Sequence, residues 1–221
     1  MKSPTSIGRL LISPVDDRKD LIASLSTVVQ QRSKTQLQAS VRLADDPTRT
    51  DHRSGGGAAP SFEAVVDILE GDPDVTAAVL ADIDGVDLAR SAVIVGHEHR
   101  LLSEEPDARL RLVLALRRQP TLSRGQCHDY WLNHHAPLAI TMPGLAGYRQ
   151  LHTDPDATAQ VATRSGIGHA DFDGAASISF TSLAAFTSTM AQPEIAETAY
   201  EDEKRFIDHS RSSLGLFELL I

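Results

Sequence analysis

The chain has 221 residues, 41% of them hydrophobic, enough to fill the core of one large domain or two small ones. Its 30 Asp and Glu outnumber 21 Lys and Arg, giving a formal net charge of -9, a field that repels nucleic-acid backbones and anionic lipid. No apolar run is long enough to span a bilayer, the first residues lack a signal-peptide core, and the single cysteine, Cys127, permits no internal disulfide; a reducing cytoplasm is the expected compartment.

In chain order, "IGRLLIS" reads as a strand and "DDRKDLIASLSTVVQQR" as a helix starting near Asp16 or Asp17. "TQLQASVRLA" is a second strand, followed by a loop whose "SGGG" reads as flexible linker. "FEAVVDILEGDPDVTAAVLAD" gives a strand and a helix, and "SAVIVGHEHRLLS" the fourth strand. The plan then repeats. "RLRLVLALRR" is a strand, and Ser123 with Gln126 has the spacing of a capping box that starts a helix. "LAGYRQLHTD" and "DGAASISFTS" are strands, the run from Leu183 to Asp208 is helical, and "SLGLFELLI" is the last strand.

Each half therefore runs β-α-β-β-α-β, the ferredoxin-like order. Phe172 opens its segment 110 residues after Phe62 opens the matching one, half the chain length. We read two tandem ferredoxin-like repeats of the α+β class, whose sheets cover each other's bare faces to make an α/β barrel. Residues 1–105 are the degenerate scaffold repeat and 106–221 the repeat that carries the site, joined by the short "EEPDAR". An outer strand such as "LGLFELLI" would leave an edge free for a second copy, so a homodimer is one expectation.

The segment "CHDYWLNHHAPLAITMPGLAGY" concentrates the chemistry. A helix from Ser123 places Cys127, Trp131, His135 and Leu138 along one face, with His134 beside them. Pro137 leaves the carbonyl of Asn133 without its helical donor, so a kink or restart is expected there. On the next strand Tyr148, Gln150 and His152 alternate to one side, and Arg149, Leu151 and Thr153 to the other. His135 and the Tyr148 set can then line one pocket, with Asp173 near enough to orient an imidazole. The competing reading is structural: His135 satisfies a carbonyl at the kink and Trp131 is plain core.

The residues Trp131, His135-Ala136-Pro137-Leu138, Pro143-Gly144-Leu145, Tyr148, Phe172-Asp173-Gly174, Asp202-Glu203 and Phe206 resemble the EthD family, over roughly Arg109 to the C-terminus. That family belongs to the dimeric α/β-barrel superfamily of ferredoxin-like proteins. The first half resembles it only in element order and lacks a His-x-Pro-Leu after its first helix, which implies one working site per chain. The resemblance implies cofactor-free lyase, decarboxylase, isomerase, cyclase or monooxygenase chemistry on small hydrophobic, often aromatic or polyketide-like molecules.

Proton transfer is the chemistry that suits these side chains, because imidazole both takes and gives a proton near neutrality. The expected catalytic set is His135, His152, Tyr148 and Asp173, with Trp131, His134, Leu138 and Gln150 in contact with substrate. The expected function is a cofactor-independent lyase or isomerase acting on a small apolar carbonyl or phenolic compound. The alternatives are a cofactor-free monooxygenase and a non-catalytic carrier of a hydrophobic metabolite. No metal is expected, although His97 and His99 share a strand face as metal ligands do. Cys127 is read as structural. The long connection from Asp154 to Asp171 lies where a lid would, with Arg164 and His169 as ligand contacts, and the acidic run "YEDEKRFID" reads as a solvated helix face.

Overall fold

The computed structural model describes residues 5–32, 36–50 and 60–220, with the side chains of 50 and 193–196 left aside; the "SGGG" linker lies outside the described residues. Eight antiparallel strands close into one barrel: β1 (Thr5–Ile12), β2 (Leu37–Arg42), β3 (Ala64–Ile68), β4 (Ala92–Leu102), β5 (Leu110–Leu116), β6 (Gly147–Thr153), β7 (Gly174–Phe180) and β8 (Ser213–Leu219). Around the barrel the order is β1-β3-β2-β8-β5-β7-β6-β4. Each half keeps the ferredoxin-like order 4-1-3-2, and the halves join edge to edge through β2–β8 and β4–β6. This corrects the expectation of a free edge at β8: its two sides are taken by β2 and β5 within the same chain.

Helices cover the outside. In the first half these are α1 (Arg18–Gln31), capped by Asp17, and α2 (Pro73–Ala81), capped by Asp72. The second half carries α3 (Arg124–Tyr130), a π-helical turn at Trp131–His135, and α4 (Ala136–Ala139). Then come α5 (Pro155–Ser165), α6 (Leu183–Met190) and α7 (Pro193–Glu203). The long helix read across Leu183–Asp208 is thus two helices, because Pro193 cannot donate to the turn before it and starts α7 instead.

Three apolar layers result. Leu10, Leu21, Leu25, Val66 and Val79 pack the first helices on the outer sheet face, and Leu112, Leu114, Trp131, Phe206 and Leu216 do so in the second half. Inside the barrel, Ile7, Leu11, Val65, Ile94, Phe172 and Phe217 fill one layer. Next to them lies a buried charge network. Asp67 accepts from Arg9 Nε at 2.6 Å and from Arg111 Nη1 at 3.2 Å, while Arg149 binds Glu98 at 3.3 Å. The joint between the repeats takes part, since Glu104 accepts from Arg111 and Ser179.

The segment read as a lid is a docked helix. Asp154 caps α5, whose Val161 and Thr158 are fully buried, and Thr158 Oγ1 exchanges hydrogen bonds with the backbone of Val95 on β4. Arg164 pairs with Asp74 on α2, and His169 bridges to Ala92. Both belong to the seam between halves. Among the described residues no helix is long and apolar enough to cross a membrane.

Candidate active site

The site forms where α3, the π turn and α4 lie over the outer face of the second sheet. The capping box of Ser123 and Gln126 starts α3 as expected. At Pro137 the chain gives up a helical donor, and Ala136 N–H instead reaches back to Trp131 O, five residues away. This wider turn inserts one residue into the helical repeat. The buried face therefore runs Cys127, Trp131, His135, Ala139, and Leu138 is turned out, 43% exposed. The substrate contact expected of Leu138 is corrected by that one-residue shift. His134 is exposed too and stacks on Tyr130 at 5.1 Å, away from the cavity.

Under this helix lies a cavity with about 40 Å³ open to the centres of water molecules, more than one water needs. Trp131, His135 and Tyr148 line it as the sequence suggested, together with Leu112, Ala176, Ile178 and Glu203. Met142 and Met190 also line it and are half-buried; unbranched thioethers adjust readily to a ligand.

His135 is held by a residue to which the expectations gave no role in the site. Its Nδ1 lies 2.9 Å from Asp202 Oδ2, and Asp202 Oδ1 accepts from Tyr130 O–H at 2.6 Å. Burial pushes the Asp202 carboxyl up, but the hydrogen bonds from Tyr130 and His135 and the charges of His135 and Arg205 hold it below the usual range. An ionised carboxylate only accepts, so Nδ1 is the donor to Asp202, and Nε2 is the ring nitrogen that Asp202 leaves unengaged.

Tyr148 lines the same space, and among the described residues its O–H proton has no acceptor. Its oxygen accepts from Gln150 Nε2 at 2.8 Å and Trp131 Nε1 at 3.3 Å. The Gln150 amide is oriented by donating to Trp131 O at 3.1 Å, while its oxygen meets His152 Nε2 at 3.0 Å. Burial pushes the Tyr148 phenol well up, with Glu203 adding to the rise, so it stays protonated as a donor. Gln150 and His152 stand behind Tyr148 and do not line the cavity.

Asp173 is elsewhere in role as well as place. Its carboxylate binds Arg118 and Arg124 and accepts from Arg118 N–H at 2.9 Å, and its carbonyl meets His128 Nε2 at 2.7 Å. The expectation that it orients the His135 imidazole is corrected: Arg118, just after β5, and Arg124, at the start of α3, already claim it. Gly174 beside it has a packing reason, since a Cβ there would stand 2.7 Å from the Trp131 ring.

His97 and His99 converge on neither His134 nor His135. His99 packs on His152 at 4.6 Å, His128 packs on His152 at 4.4 Å, and His152 stacks on Trp131 at 4.8 Å. Among the described residues no group of three His, Cys, Asp or Glu is placed to hold a metal. Burial, then the charges of His128, His99 and His97, pushes the His152 pKa down to about 2. Above pH 6.5 the ring is neutral folded and unfolded; below it the unfolded chain takes a proton that the folded chain refuses. Stability thus falls as pH falls, by roughly 1.4 kcal/mol per pH unit from this one group. Urea midpoints followed by Trp131 fluorescence are expected to drop steadily from pH 6 to pH 4. A flat profile would show that His152 accepts its proton in the fold.

Cys127 is fully buried, and burial pushes its thiol up to about 12, Asp173 contributing. It is no nucleophile.

With this geometry in hand, comparison with known proteins places the second half. Residues 119–210 match the EthD domain. The matching segment contains Trp131, His135, Tyr148, Asp202 and Glu203, all the polar groups of the cavity and the partner of His135. No curated protein matches the chain. An anthrone oxidase-like protein of solved structure is 11% identical with a TM-score of 0.56, covering 100% of this chain and 92% of its own. A variant of chlorite dismutase from Candidatus Nitrospira defluvii is similar at 11% identity, TM-score 0.56, covering 100% of this chain and 92% of that one. An EthD-family protein of Bacillus halodurans is 17% identical over 49% of this chain and 95% of its own, with a TM-score of 0.37. The two full-length likenesses show a shared barrel fold.

Proposed function

We propose that the EthD-matching half is a cofactor-independent acid–base site acting on a small, largely apolar carbonyl or phenolic substrate, in a lyase or isomerase reaction. The observation that carries this reading is the Asp202–His135 pair, with His135 lining an apolar cavity together with Tyr148. His135 Nε2 takes a proton from the carbon next to the carbonyl. The C–H electron pair forms the new C=C bond, and the carbonyl π pair moves onto oxygen, where Tyr148 O–H donates to the developing charge. The imidazolium formed is countered by Asp202. Return of the proton at another carbon gives an isomer; loss of a group from the neighbouring carbon gives a lyase. Trp131 forms the wall and, through Nε1, helps aim the Tyr148 proton.

The same anion, held in a cavity this small, is also what a cofactor-free monooxygenase would present to oxygen, the reading that the anthrone oxidase-like neighbour's name suggests. Oxygen uptake separates the two. For binding, acetophenone is a suitable probe, followed by quenching of Trp131. Tyr148→Phe is expected to weaken it about ten-fold by removing one hydrogen bond to the carbonyl. An unchanged Kd would remove Tyr148 from the site.

A further inference from the structure

Glu203 follows Asp202 in sequence but turns to another partner. Its Oε2 lies 2.9 Å from His209 Nε2, and His209 is itself buried and packed on Tyr200 at 4.9 Å. Toward a carboxylate, that nitrogen must be the donor. The other oxygen, Oε1, has no hydrogen-bond partner among the described residues, and Glu203 lines the cavity with His135 and Tyr148.

The polar side chains of the cavity can then be counted by what they offer. Tyr148 offers one proton, since its oxygen already accepts twice. His135 Nε2 offers a lone pair that takes the reacting proton. Glu203 offers a second acceptor that the reaction described above does not use. A ligand with a carbonyl and no other polar group would bury Glu203 Oε1 against hydrocarbon, at the cost of an unpaired charged acceptor. A negative charge on the ligand at that spot would be worse.

We propose that Glu203 is a specificity-determining residue that selects substrates carrying a hydroxyl in addition to the reacting carbonyl, as in hydroxylated aryl ketones. The inference rests on the cavity being the proton-transfer site. His209 is the positioning residue that holds one carboxylate oxygen so that the other faces the ligand.

Glu203→Gln makes a sharp test, because His209 Nε2–H keeps the amide oxygen and turns the NH2 into the cavity. The acceptor becomes a donor without a change of shape. Affinities of meta- and para-hydroxyacetophenone, their methoxy counterparts and acetophenone itself are read from Trp131 quenching. The wild-type chain is expected to bind at least one hydroxy compound about ten-fold or more tighter than its methoxy counterpart. Glu203→Gln is expected to abolish or reverse that preference; Glu203→Leu, which has no polar atom, is expected to abolish it, and serves if the glutamine variant does not fold. A wild-type chain without the preference, or variants that keep it, would overturn the proposal. If acetophenone still binds and still depends on Tyr148, the acid–base reading stands while the role of Glu203 falls. If none of these ketones binds, hydroxylated or not, or if those that bind ignore Tyr148→Phe, both fall together.

Discussion

Asp67→Ala is expected to destabilise the barrel by about 3–5 kcal/mol, the cost of stranding buried charge. The side chain is 1% exposed and accepts from Arg9 through both oxygens, at 2.6 and 3.1 Å, and from Arg111 at 3.2 Å. Burial alone would push its carboxyl up, yet the charges of Arg9, Arg149 and Arg111 overcome this and hold it at about 2. Without it, among the described residues Arg111 and Arg149 keep only the carboxylates of Glu98 and Glu104, and Arg9 keeps no carboxylate partner. For a chain of this size the loss corresponds to a fall in Tm of roughly 6–20 °C. Urea unfolding of Asp67→Ala measures it directly. A loss under about 1 kcal/mol would mean that water enters the barrel and screens the cluster. Acid is expected to weaken the same network: the pairing is complete above the ordinary Asp pKa near 3.9 and is lost as pH falls from there through about 2.

Asp202→Asn is expected to leave the fold intact and slow proton abstraction by roughly 10³-fold or more, the scale seen when an imidazole is held in the wrong tautomer. Tyr130 O–H donates to Asp202 Oδ1 and would keep the amide oxygen of an asparagine. The NH2 would then face His135 Nδ1, making that nitrogen the acceptor and putting the ring proton on Nε2. The lone pair at the cavity would be gone. Ring nitrogen shifts of His135 report the tautomer by NMR, independently of any substrate. A variant that keeps Nδ1–H and full activity would show that Asp202 does not set the tautomer.

The barrel was legible because its signals are periodic. Alternation in "RLRLVLALRR" and "SLGLFELLI" became β5 and β8, and the repeat spacing gave the ferredoxin-like order twice. That His135, Trp131 and Tyr148 line one cavity is legible because a helix face and a strand face converge there. The residues misread share another cause. Leu138 was placed by an unbroken 3.6-residue repeat, and the π turn moved the buried position to Ala139. Asp173 is placed at the site by its position at the start of a strand that ends near the pocket, which cannot show that Arg118 and Arg124 bind it first. Asp202 and Glu203 sat in a charge run that reads as solvated. Their four-residue spacing to Phe206 and Ile207, both buried, was the signal that this face turns inward. In α5, Asp154 followed by Pro155 is an N-cap and first-turn pair that marks a helix rather than a lid.

The central claim is that His135 removes a proton next to a carbonyl. The most direct measurement is exchange of the α-hydrogens of acetophenone in D2O, followed by proton NMR, with the wild-type chain and His135→Gln compared at ligand concentrations that saturate both. Exchange well above the buffer rate is expected for the wild type, and a return to the buffer rate for the variant, with binding retained. Equal exchange in the two proteins, or none from a wild-type chain that has bound the ketone, would contradict the claim.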